Sequence, residues 1–503
     1  MLRSRHWLPP LVLILSLGGI YLGTLGRGLT WANNGADSGD LVTAVATGGI
    51  PHPSGYPIYL LLARLFQFLP FGSIAFRTNL FSAVCTILAA VVVYYLVTGI
   101  LCASRHAKEL AGLVSAYAFG LAPMVWGQAV ISEVYGLHAL FLALTLYLLP
   151  LGVDMPPARR ERFDWLRGLV FGLGLGNHVT LIFLLPPILL TDIIRKVENG
   201  IGDRNKTWCG WSINWRPFIT RLAWMVIGLL VYLTLPLRAL SNPPINWGNP
   251  ITPENFVWLV TGRMYASYAF STSIAQVMAR IPIWAGLYTA QFGIFGILVG
   301  VFGLFFFRNL PARVYLVTGW MVVVYSIFSL GYNSFDPEIY LIAAFLAVAL
   351  WIGFGLAGLI GFLSRGLLRL KTAAGIVAIA YFLGFAALNF PKVDASHDHE
   401  AESYGQTVLE TTPVHALLFT NEDETTFTLW YFQFVLHERP DLVVLDTRML
   451  SYNWYRNMLR ASYPTLEVPE HEGVTTAYEF VAANVARPVC ESSRSGSPVV
   501  NCH

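Results

Sequence analysis

Apolar residues along this chain come in continuous runs near the ~20-residue length that crosses a bilayer core, with charges collected in the gaps between them. Such runs recur from Leu11 to Leu388, a pattern that predicts an α-helical polytopic membrane protein. Arg3, Arg5 and His6 precede the first run, so the positive-inside rule places them in the cytoplasm and sends the segment 28–73 to the opposite face. That first run is read as a retained anchor, because no small-residue cleavage site is clear after it. Basic clusters at Arg105–Lys108, Arg159–Arg162, Arg308–Arg313 and Arg365–Lys371 then close successive pairs on the cytoplasmic side. The expected total is about eleven membrane helices, two of them short.

The two short helices come from Leu166–Leu190, which is one span long yet has basic loops at both ends. A break at Gly174-Leu175-Gly176-Asn177-His178 would let two half-helices meet there with both ends cytoplasmic; a plain helix that breaks the charge rule is the alternative. From Pro391 the composition turns polar and acidic. Residues 1–390 are therefore read as the membrane domain and 391–503 as a soluble extracytoplasmic α/β domain of about 110 residues, a usual small-domain size. In it Ala416–Thr420 and Leu442–Leu445 read as strands and Thr425–Leu436 as a helix between them. Asn421-Glu422-Asp423-Glu424 sits at the helix start, where acidic residues suit the dipole; a metal or substrate role is the other reading.

Composition agrees: 55% of residues are hydrophobic and 12% charged, a balance suited to lipid as solvent. The net charge of +3 forms no basic stripe, which removes nucleic acid as a partner. Of five cysteines, Cys490 and Cys502 share the polar tail, where they either close a loop as a disulfide or stay as free thiols.

Polar residues near a membrane are costly, and here they gather on the external face. Asp37 and Asp40 are three apart, so a helix starting after Asp37 would put both carboxylates on one side. One could take a proton from an attacking hydroxyl while the other orients the acceptor, or Asp37 or Ser38 could simply cap the helix. His52-Pro53-Ser54-Gly55-Tyr56-Pro57 is a rigid turn by composition. Arg238 stands at the outer end of its span, placed to fork onto a lipid phosphate or to snorkel to the interface. Glu133, Tyr135, Asn177, His178, Asn246, Trp247, Arg263 and Asp336 complete the external polar set.

Asp37-Ser38-Gly39-Asp40, His52–Pro57, Leu69–Asn79, Ser132-Glu133-Val134-Tyr135, Gly176-Asn177-His178 and Pro236-Leu237-Arg238-Ala239 resemble the polytopic family that includes the vertebrate endoplasmic-reticulum protein O-mannosyltransferase of plexin-type receptors. The resemblance covers most of residues 30–340, and Tyr404-Gly405 and Arg439-Pro440-Asp441 look like those of its bacterial members. It implies a GT-C fold and an inverting transfer of mannose or another hexose from a polyprenyl-phosphate donor to a hydroxyl of a protein or glycan. It further implies Asp37 as general base, Asp40 as a second catalytic carboxylate in place of the family's usual glutamate, and Arg238 with Arg263 on the donor phosphate. His52, Tyr56, Glu133, Tyr135, Asn177, His178, Asn246, Trp247 and Asp336 would line the substrate pocket. No cofactor is required, and a divalent metal is not demanded because arginine can stabilise the leaving phosphate. No glycosylation sequon lies in an external loop, Asn205 being in a cytoplasmic one, which suits a bacterial inner membrane with a periplasmic active site. The competing function is a transporter or lipid-linked-sugar flippase, which would place its polar site at the bilayer midplane between internal repeats.

Overall fold

The computed structural model describes residues 7–149, 163–191, 194–198, 209–306, 310–362, 368–469, 476–496 and 499–503. Arg3, Arg5, Arg159, Arg160, Arg162, Asn205, Arg308 and Arg365, on which much of the orientation reading rests, lie outside them.

Six helices among the described residues are long and apolar enough to cross a membrane, from Ile74–Ile100 through Thr372–Val393. A seventh span arises if Arg105–Gly120 and Pro123–Ala129, bent by 69°, count as one, and Leu8–Thr24, Pro57–Gln67, Tyr135–Leu148 and Val179–Leu190 are shorter apolar helices. Several expected spans are therefore short or broken. The helix Ile342–Phe362 is apolar all round and almost wholly buried, which places it at the centre of the bundle. Most of Thr372–Val393 faces outward, where its apolar side chains suit lipid.

The predicted break is present. The helix Asp164–Leu175 stops, Gly176 to His178 form a kink, and the chain continues as a 3₁₀ turn (Val179–Leu184) and the helix Leu185–Leu190. Arg221, in the helix Arg216–Leu229, shows which way the second half runs. Its guanidinium contacts Asp164 at the start of the first half (2.8 Å) and donates to the carbonyls of Ile188 (2.9 Å) and Thr191 (2.6 Å) at the end of the second. Both outer ends lie together, so the segment is a re-entrant hairpin with Asn177 and His178 at its tip. The next connection holds an antiparallel pair, β1 (Ile194–Glu198) and β2 (Cys209–Ile213), where the sequence reading had only a basic loop.

Beyond Val393 a four-stranded sheet forms in the order β4-β3-β5-β6, with β3 Leu417–Thr420, β4 Val443–Asp446, β5 Val489–Ser492 and β6 Val500–Cys502. β3 pairs in parallel with β4 and β5, and the helix Asp423–Trp430 follows β3 as expected. Cys490 and Cys502 are bonded and staple β5 to β6.

This sheet region packs directly onto the membrane part. Asp398 accepts the Thr30 hydroxyl and the backbone N–H groups of Trp31 and Ala32, both at 3.0 Å. The Trp31 indole donates to Thr428 at 3.1 Å, and the Arg494 guanidinium lies 4.8 Å from the Trp31 ring centre. Gly39 marks the closest approach: a Cβ there would stand 2.5 Å from the Phe427 backbone, so only glycine lets the two helices touch.

Candidate functional site

A 3₁₀ segment, Ala32–Asp37, turns into the helix Ser38–Thr47 at Asp37. Neither expected cap forms. Asp37 occupies the N-cap position without a side-chain capping bond, and the Ser38 hydroxyl donates instead to the Ser132 carbonyl at 3.1 Å. The Asp37 carboxylate is thus left free for other work.

The two carboxylates meet different surroundings. Asp40 is fully buried and accepts three bonds, from the His52 backbone N–H (2.9 Å), His52 Nδ1 (2.8 Å) and the Trp247 indole (3.1 Å). The Asp37 side chain keeps 40% of its surface open and faces His52 Nε2 at 3.6 Å. One carboxylate is consumed by the architecture, while the other points at free space.

His52 joins them. The Tyr56 hydroxyl lies 3.0 Å from His52 Nε2 and donates its proton to the Pro53 carbonyl at 3.1 Å. It must then accept from Nε2–H, while Nδ1–H donates to Asp40, so both ring nitrogens carry protons. Electrostatics agree with this imidazolium. Burial alone would lower the His52 pKa, but the charge of Asp37, and then the hydrogen bond and charge of Asp40, push it up to about 9. Although part of its surface is open, the protein packed around Asp37 desolvates it and pushes it above the usual carboxylate range, with the His52 charge opposing and Asp40 adding to the rise. Burial, then the charge of Asp37, likewise hold Glu133 well above its ordinary value and bring Asp336 to about 6.

An aromatic wall faces this centre. The His178 ring lies 4.8 Å from His138, 5.3 Å from Tyr135, 6.1 Å from Tyr340 and 6.4 Å from Tyr56, centre to centre. Asn177 anchors the hairpin tip by donating to the Val134 carbonyl at 3.2 Å. Asn246 holds the other side, where Ile50 and Asn246 form a parallel bridge. Half-buried Arg238 donates to the Gly49 carbonyl at 3.3 Å, three residues before His52. Arg263 stands apart from these contacts: it is exposed at the start of the 3₁₀ segment Arg263–Tyr268.

Two contributors, Tyr265 and Trp454, were not singled out from the sequence, and Asp423, noted there at its helix start, proves to face the same centre. Tyr265 lies in the electrostatic field of Asp37, and so does Asp423, which pairs with Arg448 at 2.7 Å. Trp454 packs on Trp247 with ring centres 5.0 Å apart. The aromatic density of Phe427, Trp430, Tyr452 and Trp454 in an otherwise polar tail was the available signal. Among the described residues no group of three or more His, Cys, Asp or Glu could hold a metal ion.

Residues 37–200 match the family described as protein O-mannosyl-transferase TMEM260 N-terminal domain, and residues 401–478 match TMEM260-associated domain 2. The mouse protein O-mannosyl-transferase TMEM260 is 24% identical over 96% of this chain and 71% of its own length. That of Dictyostelium discoideum is 23% identical over 91% of this chain and 60% of its own. The chain is similar to the TMEM260 protein O-mannosyltransferases. Among solved structures, ArnT from Cupriavidus metallidurans bound to undecaprenyl phosphate superposes with a TM-score of 0.54 at 13% identity, over 93% of this chain and 97% of ArnT. The apo form gives 0.54 at 15%, over 92% and 96%. The fold is therefore of the GT-C type in an integral membrane protein. The match to the TMEM260 N-terminal domain opens at residue 37, in the turn that carries Asp37 and Asp40.

Proposed function

We propose that this membrane glycosyltransferase inverts the anomeric centre as it moves a hexose, mannose in the first instance, from a polyprenyl-phosphate donor to a hydroxyl of a protein or glycan. The observation that carries this reading is the division of labour between the carboxylates: Asp40 is saturated by His52 and Trp247, whereas Asp37 is open. Asp37 takes the acceptor hydroxyl proton as the oxygen attacks C1. The C1–O bond to phosphate breaks, and polyprenyl phosphate departs with the electron pair. A carboxylate pKa raised by burial makes Asp37 a stronger base than a solvated aspartate, and the His52 imidazolium keeps it ionised. Asp40 positions that imidazolium and touches no reacting atom.

Arg238 is the better placed of the two arginines for the donor phosphate, since it bonds the Gly49 carbonyl in the segment leading to His52; exposed Arg263 would meet the phosphate at the rim. Tyr56, Tyr135, His178, Asn177 and Glu133 shape the sugar pocket, with Asn246, Trp247 and Asp336 around it. The reaction face is extracytoplasmic, and residues 391–503 form the domain that covers it. The gathering of polar residues opposite the basic loops of the sequence supports this orientation.

The test is incubation of the purified chain with labelled polyprenyl-phosphate mannose and hydroxyl-bearing acceptors. Asp37→Asn should lower transfer by about 10²–10⁴-fold, the usual contribution of a general base. Release of polyprenyl phosphate that ignores the substitution removes Asp37 from the chemistry.

A further inference from the structure

The C-terminal sheet holds a second recess outside the Asp37 centre. From β3 the chain passes to β4 on one side and then crosses to β5 on the other, so the order reverses between β3 and β5. In open α/β sheets ligands sit in the crevice at the carboxyl ends of the strands where this reversal occurs, because the flanking connections part there. A crevice of about 440 Å³ opens at that place, lined by Thr420 and Asn421 after β3, Thr447 after β4, and Glu491, Ser492 and Ser493 at β5. Its volume falls within the ~300–1,000 Å³ of small-ligand sites.

The lining points to one ligand chemistry. Phe419, Glu491 and Asn501 stand in register across β3, β5 and β6, so they form one row on one face. That row offers an apolar ring, a carboxylate and an amide oxygen, the Asn501 Nδ2 lying 3.3 Å from His503 Nε2. Thr420, Thr447 and Ser492 are already engaged, with Thr426, the Thr420 carbonyl and Tyr404. The side chains of Asn421 and Glu491 are exposed and make no hydrogen bond among the described residues. Among the described residues no cation lines the crevice. Nearby Arg494 is held by Glu400 and Glu424, each at 2.9 Å, and by the face of Trp31. An anionic ligand would thus meet only Glu491. A neutral polyol is matched, because its hydroxyls can donate to the carboxylate and exchange bonds with the amides while its C–H face lies on Phe419. The Cys490–Cys502 bond joins the two strands that carry Glu491 and Asn501, which holds the row in place without ligand.

We infer that this crevice is a carbohydrate-binding site for a neutral hexose or short oligosaccharide, separate from the transfer centre. The two are neighbours through one helix: Asn421 lines the crevice, and the helix that follows it, Asp423–Trp430, meets Gly39, two residues after Asp37, at Phe427. A glycan held there would be tethered beside the open carboxylate. The inference does not depend on the transferase reading.

Saturation-transfer NMR on the whole purified chain, with mannose, glucose and mannobiose as probes, tests it. A saturable signal is expected in the wild type and in Asp37→Asn, weakened about tenfold by Glu491→Gln and by Asn421→Ala, and uncompeted by inorganic phosphate. Ser493→Trp, which fills the crevice, should abolish it with the thermal unfolding midpoint unchanged. Absence of saturable binding with every probe overturns the inference. So does binding that Asp37→Asn removes and all three crevice substitutions spare.

Discussion

The indole N–H of Trp247 donates to Oδ1 of Asp40 at 3.1 Å, while Oδ2 of the same carboxylate takes both the backbone and Nδ1 of His52. A tryptophan more than 200 residues away in sequence thus helps hold the histidine that faces Asp37. Trp247→Phe removes one buried bond and should lower stability by about 1–3 kcal/mol. Asp40→Ala orphans three donors and should cost more, and it should lower the His52 pKa. Thermal unfolding and ¹⁵N NMR titration of the histidine read the two effects separately. An unshifted His52 in Asp40→Ala would show that Asp40 does not position it.

The pH profile follows from the signs. In the proposed mechanism transfer needs Asp37 ionised and His52 protonated, so kcat/KM should rise through the raised Asp37 pKa and fall near pH 9, where His52 loses its proton. His52→Gln removes the positive charge that pulls Asp37 down. Its acid limb should move to higher pH, and its alkaline limb should disappear. A profile with the wild-type limbs in this variant contradicts the pairing.

Gly39 sets the spacing between the carboxylate helix and the C-terminal region. Gly39→Ala places a methyl group 2.5 Å from the Phe427 backbone and should cost about 1–3 kcal/mol by overpacking. Because that contact adjoins Trp247, transfer should fall at least tenfold, and hydrogen exchange in residues 423–430 should quicken. Unchanged exchange there would mean that the helix shifts without disturbing its partner.

Arg221 pins both ends of the re-entrant hairpin. Arg221→Met leaves Asp164 with Arg167 as its remaining cation (2.6 Å) and strips two carbonyls of their donor, so a loss of about 3–5 kcal/mol is expected. His178 rides on the hairpin tip, and the KM for donor should rise with the fall in unfolding temperature. Arg221→Lys should restore part of both.

Arg238 and Arg263 separate by environment. Arg238→Ala should raise the donor KM by tenfold or more, and Arg263→Ala by less than threefold, with the Arg238 effect largest at low salt. Equal effects would place the phosphate at the rim instead of beside Gly49.

The chain by itself determined its solvent and much of its local punctuation. Long apolar runs can be stable only in lipid, so the helical membrane class was legible without any contact information. The glycines of Gly174–His178 weaken a helix, and the break fell within that stretch, from Gly176 to His178. Alternation of apolar segments with turn residues likewise located β3, the following helix and β4. The gathering of Asp37, His52, Tyr56, His178 and Trp247 needed the fold, because their partners are set by how distant helices pack and not by neighbours along the chain. Whether Asp37 or Ser38 capped the helix was equally undecidable locally: the Ser132 carbonyl that claims the Ser38 hydroxyl is 94 residues away. The separation of Asp37 from Asp40 is the clearest case. Two identical side chains one helical turn apart acquire opposite situations only when His52, Trp247 and the C-terminal aromatics close over one of them and leave the other open.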